Sequence, residues 1–161
     1  WPLIPEQSEK YVFTAEWYDI PVPSTANLIS EADWQTLITV KSAVNKQIET
    51  ARNAKLIGSN LSAKVELWAN AELKTVLDQF ADELRFVLIT STVIVKDFDA
   101  AQGEATDLDG LRVQVSAAEG EKCVRCWHVL PDVNTHSAHL GLCARCIINL
   151  PSGQGEERKY A

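Results

Sequence analysis

Four cysteines stand in two brackets of one form, Cys123-Val-Arg-Cys126 and Cys143-Ala-Arg-Cys146, and the chain has no others. Sixteen residues separate the brackets. A Cys-x-x-Cys turn aims two sulfurs at one point. Two such turns facing each other supply a tetrahedral thiolate cage that suits zinc, with Zn–S near ~2.3 Å. A shell of four protein ligands leaves no position for water or substrate. The expectation is therefore one structural Zn2+ ion on Cys123, Cys126, Cys143 and Cys146, with no metal chemistry. Disulfides would need an oxidising compartment, and a redox Cys-x-x-Cys occurs singly at a strand-to-helix junction. Neither setting is found here. His128, His136 and His139 lie in or near the intervening loop. The symmetry of the brackets makes them surface or packing residues rather than ligands.

The elements that must position this cage are legible upstream. Residues 1–25 hold Pro2, Pro5, Pro21 and Pro23 with Tyr11, Phe13, Trp17 and Tyr18. Proline at that density argues against regular helix, and the aromatics are expected to pack the arm onto a larger body. Ser30 reads as an N-cap, with Asp33 three residues on. Trp34, Leu37, Ile38, Val44, Ile48 and Ala51 then recur at helical spacing to about residue 55. Lys41, Arg52 and Lys55 fall on or beside that stripe, where their stems cover the core edge or their heads face a phosphate backbone. Gly58-Ser59-Asn60 breaks the helix. Leu61, Ala63, Val65, Leu67 and Ala69 alternate as a half-buried strand interrupted by Trp68. Leu73, Val76, Leu77, Phe80 and Leu84 predict a second helix. Phe86–Ile89 and Thr92–Val95 predict short strands, and Leu111, Val113 and Val115 a last one. Residues 97–110 read as an acidic solvated loop, because their carboxylates lack Ca2+-loop spacing. The fold class expected is α+β: helices packed on a small, mostly antiparallel sheet, followed by a loop-rich zinc-finger module with four cysteine ligands.

Length and charge bound the function. The chain has 161 residues and a formal net charge of −7, with 10 basic and 18 acidic residues in 1–120 and 5 basic against 4 acidic in 121–161. Such an acidic chain is a poor non-specific nucleic-acid binder, so any such contact must be local. There is no long apolar run for a membrane span and no secretory leader pattern, and thiols committed to metal fit a reducing cytoplasm. The sequence opens on Trp1 and contains no methionine, which leads us to expect a piece of a longer or processed chain. Phosphate-binding glycine loops and nucleophile elbows are missing, and Asp82-Glu83 is an ordinary solvated pair on a helix. A binding or structural module without a catalytic site of its own is expected.

The segment Glu119-Gly-Glu-Lys-Cys-Val-Arg-Cys-Trp-His128, Leu142-Cys-Ala-Arg-Cys146 and the tail Glu157-Arg-Lys-Tyr-Ala161 resemble the C-terminus of bacterial isoleucyl-tRNA synthetases. So do Lys10-Tyr-Val-Phe-Thr-Ala-Glu-Trp-Tyr18, Val44-Asn-Lys-Gln-Ile-Glu-Thr-Ala-Arg52 with Ile57-Gly-Ser, and Asp82-Glu-Leu-Arg-Phe-Val-Leu-Ile-Thr-Ser91. The resemblance implies that ATP and the ligase chemistry belong to an upstream catalytic domain. It also implies that this region serves the anticodon end of isoleucine tRNA, in a cytoplasmic monomer with the rest of the synthetase chain as partner. It divides the chain into 1–58, the end of a helical anticodon-binding domain; 59–120, a small α+β junction domain; and 121–161, the zinc module and basic tail. It places zinc on the same four cysteines. Candidate tRNA contacts are Lys122, Arg125, Trp127, Arg145, Arg158 and Lys159, with Lys41, Arg52 and Lys55 on the long helix. Trp127 reads either as a stacking platform for an unpaired base or as a lid over the sulfurs, and the tail as a contact or as plain disorder. Two alternatives stay open. One is a purely structural zinc cap. The other is the DNA-binding finger of a formamidopyrimidine-type DNA glycosylase, whose N-terminal proline nucleophile is not matched by Trp1-Pro2-Leu3-Ile4.

Overall fold

The computed structural model describes residues 3, 9–17, 21 and 29–160. Its elements, in chain order, are α1 (Glu31–Asn53), β1 (Ala63–Ala69), α2 (Ala71–Asp78), α3 (Leu84–Leu88), β2 (Thr92–Asp97), β3 (Glu104–Ala105), β4 (Leu111–Ala117), β5 (Glu121–Lys122), β6 (Val129–Leu130) and α4 (Ala144–Ile148). No described helix is long and apolar enough to cross a membrane.

Helix α1 starts where the cap chemistry dictates. The Ser30 hydroxyl accepts the Asp33 N–H at 3.0 Å, and Glu31 and Asp33 put negative charge at the positive end of the helix dipole. Its buried face is Leu37, Val40, Ala43, Val44, Ile48 and Ala51. Trp34 and Ile38, expected on that stripe, are instead 39% and 46% exposed. They sit at its rim, because a helix turns ~100° per residue and Val40 and Ala43 align better with Leu37 and Val44.

The sheet runs in the order β2-β1-β4-β3, with β1 parallel to β2 and the other two pairings antiparallel, a small mixed sheet. The parallel pair requires a crossover, which α2 and α3 provide. Register aligns one apolar face: Val93–Val65–Val115 in one row and Val95–Leu67–Val113 in the next. Helices α1, α2 and α3 pack on that face, and Leu37, Val44, Leu77, Phe80, Leu84 and Leu88 fill a single core with the strands. Trp68 breaks the alternation because the opposite face is also covered at that point. Lys96 Nζ lies 4.8 Å above its ring, and a Cβ on Gly103 would come within 2.9 Å of it.

Three expectations change. The predicted second helix ends at Asp78, and Phe80 and Leu84 reach the core from a turn and from α3, with Ala81 at φ 43° between them. Phe86–Ile89 is helix rather than strand: α3 closes at Ile89 with φ 58°, a left-handed cap. A short apolar run does not distinguish the two by periodicity. Within the acidic loop, Glu104–Ala105 pairs with β4 as β3. Of the N-terminal aromatics, Tyr11 and Phe13 stack on each other at 5.4 Å, and Phe13 and Trp17 are exposed. Tyr18, Pro2, Pro5 and Pro23 lie outside the described residues.

Candidate metal centre

Beyond β4 the chain turns at Gly120, whose φ of 108° and close approach to the Leu130 carbonyl leave no room for a side chain. The β5/β6 hairpin then presents the first bracket. Each bracket closes the same way. Trp127 N–H donates to the Cys123 carbonyl at 2.9 Å, and Ile147 N–H to the Cys143 carbonyl at 3.1 Å. A direct link, Val124 N–H to the Gly141 carbonyl at 3.0 Å, sets the brackets face to face. The second is further held by Asp132, whose carboxylate accepts the Ala144 N–H at 2.7 Å at the start of α4, while Asn134 accepts the Gly141 N–H.

The four sulfurs lie within 4.8 Å of one another. Cys126 Sγ and Cys143 Sγ are 3.7 Å apart, which matches the edge of about 3.8 Å that a tetrahedron with ~2.3 Å Zn–S bonds requires. Cys123, Cys143 and Cys146 are buried and Cys126 half-buried. Donor set, spacing and burial all fit zinc with four protein ligands. Burial pushes the Cys123 thiol up, but the backbone N–H groups of Cys126, Cys143 and Arg125 outweigh it and hold the group at about 6. Burial pushes Cys126 and Cys143 up. Burial thus keeps Cys126 and Cys143 from ionising readily, and a cation at the centre of the sulfurs would supply the charge that lets them do so.

The histidines stay outside the cage. His128 is 7% exposed and packs edge-on against Phe86, centroids 6.0 Å apart. Burial and then the guanidiniums of Arg85, Arg145 and Arg158 depress its pKa. His136 is exposed, His139 half-buried, and their rings lie 5.3 Å apart.

The other residues singled out by sequence separate into groups. Trp127 is 59% exposed at φ 66°, with Lys122 Nζ 5.1 Å from its ring centroid. More than half of the side chain faces solvent. Arg125 is exposed beside it in sequence, and its guanidinium reaches the Asn149 carbonyl at 3.5 Å. Arg145 Nε and Arg158 Nε both donate to Glu156, at 2.8 and 2.7 Å, and both guanidiniums lie over Phe86, at 4.8 and 4.1 Å. The Lys159 N–H donates to Glu83. Arg52 pairs with Glu49 one helical turn away, and Lys41 and Lys55 lie on α1 and just past its end. Among the described residues no hydrogen bond, ion pair or ring contact joins these three to the zinc module. Asp132, Asn134 and Glu156 carry no signal in the sequence. A single acid or amide in a loop has no pattern until the fold brings it to its partner.

Residues 120–148 match the family described as a zinc finger found in FPG and IleRS. All 161 residues align, 78% identical, with an isoleucine–tRNA ligase of Acinetobacter baylyi, of which they cover the C-terminal 17%. An isoleucine–tRNA ligase of Actinobacillus pleuropneumoniae serotype 5b is 43% identical over the whole chain, again with 17% of that protein covered, and so is that of serotype 7. The chain thus spans about a sixth of the length of these curated relatives.

Proposed function

We propose that this chain, which carries the sequence of the C-terminal region of an isoleucine–tRNA ligase, serves that enzyme by engaging the anticodon end of isoleucine tRNA in the cytoplasm. ATP and aminoacyl chemistry are left to the upstream part of the synthetase. The observation that carries the reading is the rim of the metal module. There an indole is kept in solvent on a left-handed backbone, with Lys122 against its ring and Arg125 exposed nearby. A bulky residue at positive φ costs stability, on the order of 1 kcal/mol or more, and such outliers concentrate at binding sites. An aromatic face with adjacent cations suits an unpaired base and its phosphates.

Zinc, when bound, supplies structure. The residues do the rest: Cys123 and Cys126 fix the turn that projects Trp127, and Asp132 steadies the second bracket. Lys41, Arg52 and Lys55 are proposed as weaker, separate contacts along α1, because their charge sits on the helix surface. Arg145 and Arg158 share Glu156 and lie over Phe86, so the RNA-facing set centres on Lys122, Arg125 and Trp127, with Lys159, whose backbone N–H alone meets Glu83, as a further contact from the tail.

The test is tRNA binding by zinc-loaded full-length synthetase carrying Lys122→Ala, Arg125→Ala or Trp127→Ala. Trp127→Ala should weaken binding roughly ten-fold or more, the worth of one stacked base. Each basic substitution should lower the slope of log affinity against log salt by about 0.7–0.9. Unchanged affinity and slope in all three, with zinc retained, would overturn the reading in favour of a structural cap.

A further inference from the structure

We propose that residues 153–160 form a latch that fixes the zinc module to the shoulder made by α2 and α3, with Glu83, Glu156 and Tyr160 as positioning residues. After α4 the chain doubles back. Gly153 passes so close to the helix that a Cβ would collide with the Ile148 carbonyl, and the Gly155 N–H donates to that same carbonyl at 2.8 Å. Asn149 closes the reversal. Its side chain donates to the Arg145 carbonyl at 2.9 Å and accepts the Glu156 N–H at 3.1 Å.

The segment so directed crosses to the other unit. The Glu83 carboxylate accepts two successive backbone N–H groups, Lys159 and Tyr160, each at 2.6 Å. Bonds to an ionised acceptor are about twice as strong as neutral ones. The Tyr160 ring packs on Phe80 at 5.3 Å, and Phe80 on Trp34 at 5.7 Å. An aromatic ladder thus runs from the tail to the first turn of α1. Beneath it Phe86 is the hub. Arg85 from α3, Arg145 from α4 and Arg158 from the tail lie 4.6, 4.8 and 4.1 Å from its ring centroid, with Glu156 between the last two. On the far side of the same joint, Ser91 Oγ accepts the Val129 N–H at 2.7 Å and donates to the Leu61 carbonyl at 2.5 Å.

None of these contacts uses a cysteine. The orientation of the module therefore has a second determinant besides the metal. Without the latch the module would remain folded around zinc and joined to the sheet unit through Ser91 and Phe86, but over a smaller contact that lets it shift about the 118–121 connection. Its rim would then meet RNA in many orientations, and this last consequence rests on the function proposed above.

The test uses zinc-loaded full-length synthetase with Tyr160→Ala, Glu83→Ala and Tyr160→Phe. Amide exchange at 153–160 should speed at least ten-fold in the two alanine variants and stay at wild-type rates in Tyr160→Phe, which keeps the ring stack. Zinc content should stay at the wild-type value. The KM for tRNA should rise several-fold with kcat unchanged. Fast exchange at 153–160 already in the wild type, or no change in either alanine variant, overturns the latch. Zinc loss on Tyr160→Ala also overturns it, because the tail would then belong to the metal fold itself. Faster exchange with an unchanged KM keeps the latch and overturns only its link to RNA.

Discussion

The sheet unit and the zinc module are held together by different forces, although they adjoin in one chain. Behind the sheet, Leu37, Val44, Val65, Leu67, Leu77, Phe80 and Val113 are each no more than 1% exposed, within one continuous core. In the module the buried cluster is Cys123, Val133, Cys143 and Cys146, with Cys126, Leu130 and Leu142 at its edge. At about 25 cal/mol per Å2 of apolar burial, the first region accumulates its own stability and the second does not. The module substitutes a metal for a core. That makes its order conditional on thiolate chemistry, while the sheet depends only on packing. The module also carries an exposed apolar set of its own: Val124, Trp127 and Leu140 are 68%, 59% and 70% exposed.

The largest effect should come from taking the metal away. Chelation, or Cys143→Ser, removes on the order of 10 kcal/mol of apparent folding free energy from the module alone. Amide protection in 121–150 should vanish while β1 and β4 keep theirs. Simultaneous melting of the sheet would break the contrast. The converse change is Leu77→Ala, which opens a cavity in the apolar core and should cost about 2–5 kcal/mol in denaturant unfolding of the sheet unit. Zinc content should stay at one in native buffer. A drop in zinc stoichiometry would show that the two regions are one cooperative unit.

At the seam, Gly120→Ala forces a Cβ against the Leu130 carbonyl at positive φ and should cost roughly 1–3 kcal/mol. Its signature is lost protection at β5/β6 with α1 unaffected. Wild-type behaviour would mean that the seam is not strained. The smallest effect concerns acid. Burial pushes the Glu156 carboxyl up, but hydrogen bonds from Arg158 and Arg145 outweigh it and hold it below its ordinary value of 4.5. A carboxyl with a lowered folded pKa stabilises fully above its unfolded pKa and loses that contribution as pH falls through the folded value. Protection of the amides at 153–160, taken relative to the free-chain exchange rate at each pH, should therefore fall below about pH 4.5 in the wild type and be low at all pH in Glu156→Gln. Identical pH profiles for the two proteins would remove Glu156 from the joint.

Much of this is legible in the chain. The Ser30 cap, the strand at Ala63–Ala69 and the last strand from Leu111 follow from local rules that no distant contact disturbs. Phe86–Ile89 misleads because a four-residue apolar run suits either period, and the turn at Ala81, at φ 43° between the buried Phe80 and Leu84, carries no signal in the sequence. Trp34 and Ile38 lie one step around α1 from the face they suggest, a difference only the sheet beneath the helix decides. The basic tail is ambiguous for a related reason. Arg158 looks free for RNA until Glu156 is folded against it, and the tail looks unanchored until Glu83, 76 residues upstream of Lys159, accepts the backbone N–H groups of Lys159 and Tyr160.

The sequence by itself determined the metal and its ligands, since two Cys-x-x-Cys turns specify their own local geometry and need only meet. It also determined the order of most helices and strands and, through the residues around the brackets, the family. Tertiary structure alone decided which charges are paired inside the fold and which remain on the rim. Ion pairs and cation–π contacts depend on distances between side chains far apart in sequence, and only the packed chain sets those distances.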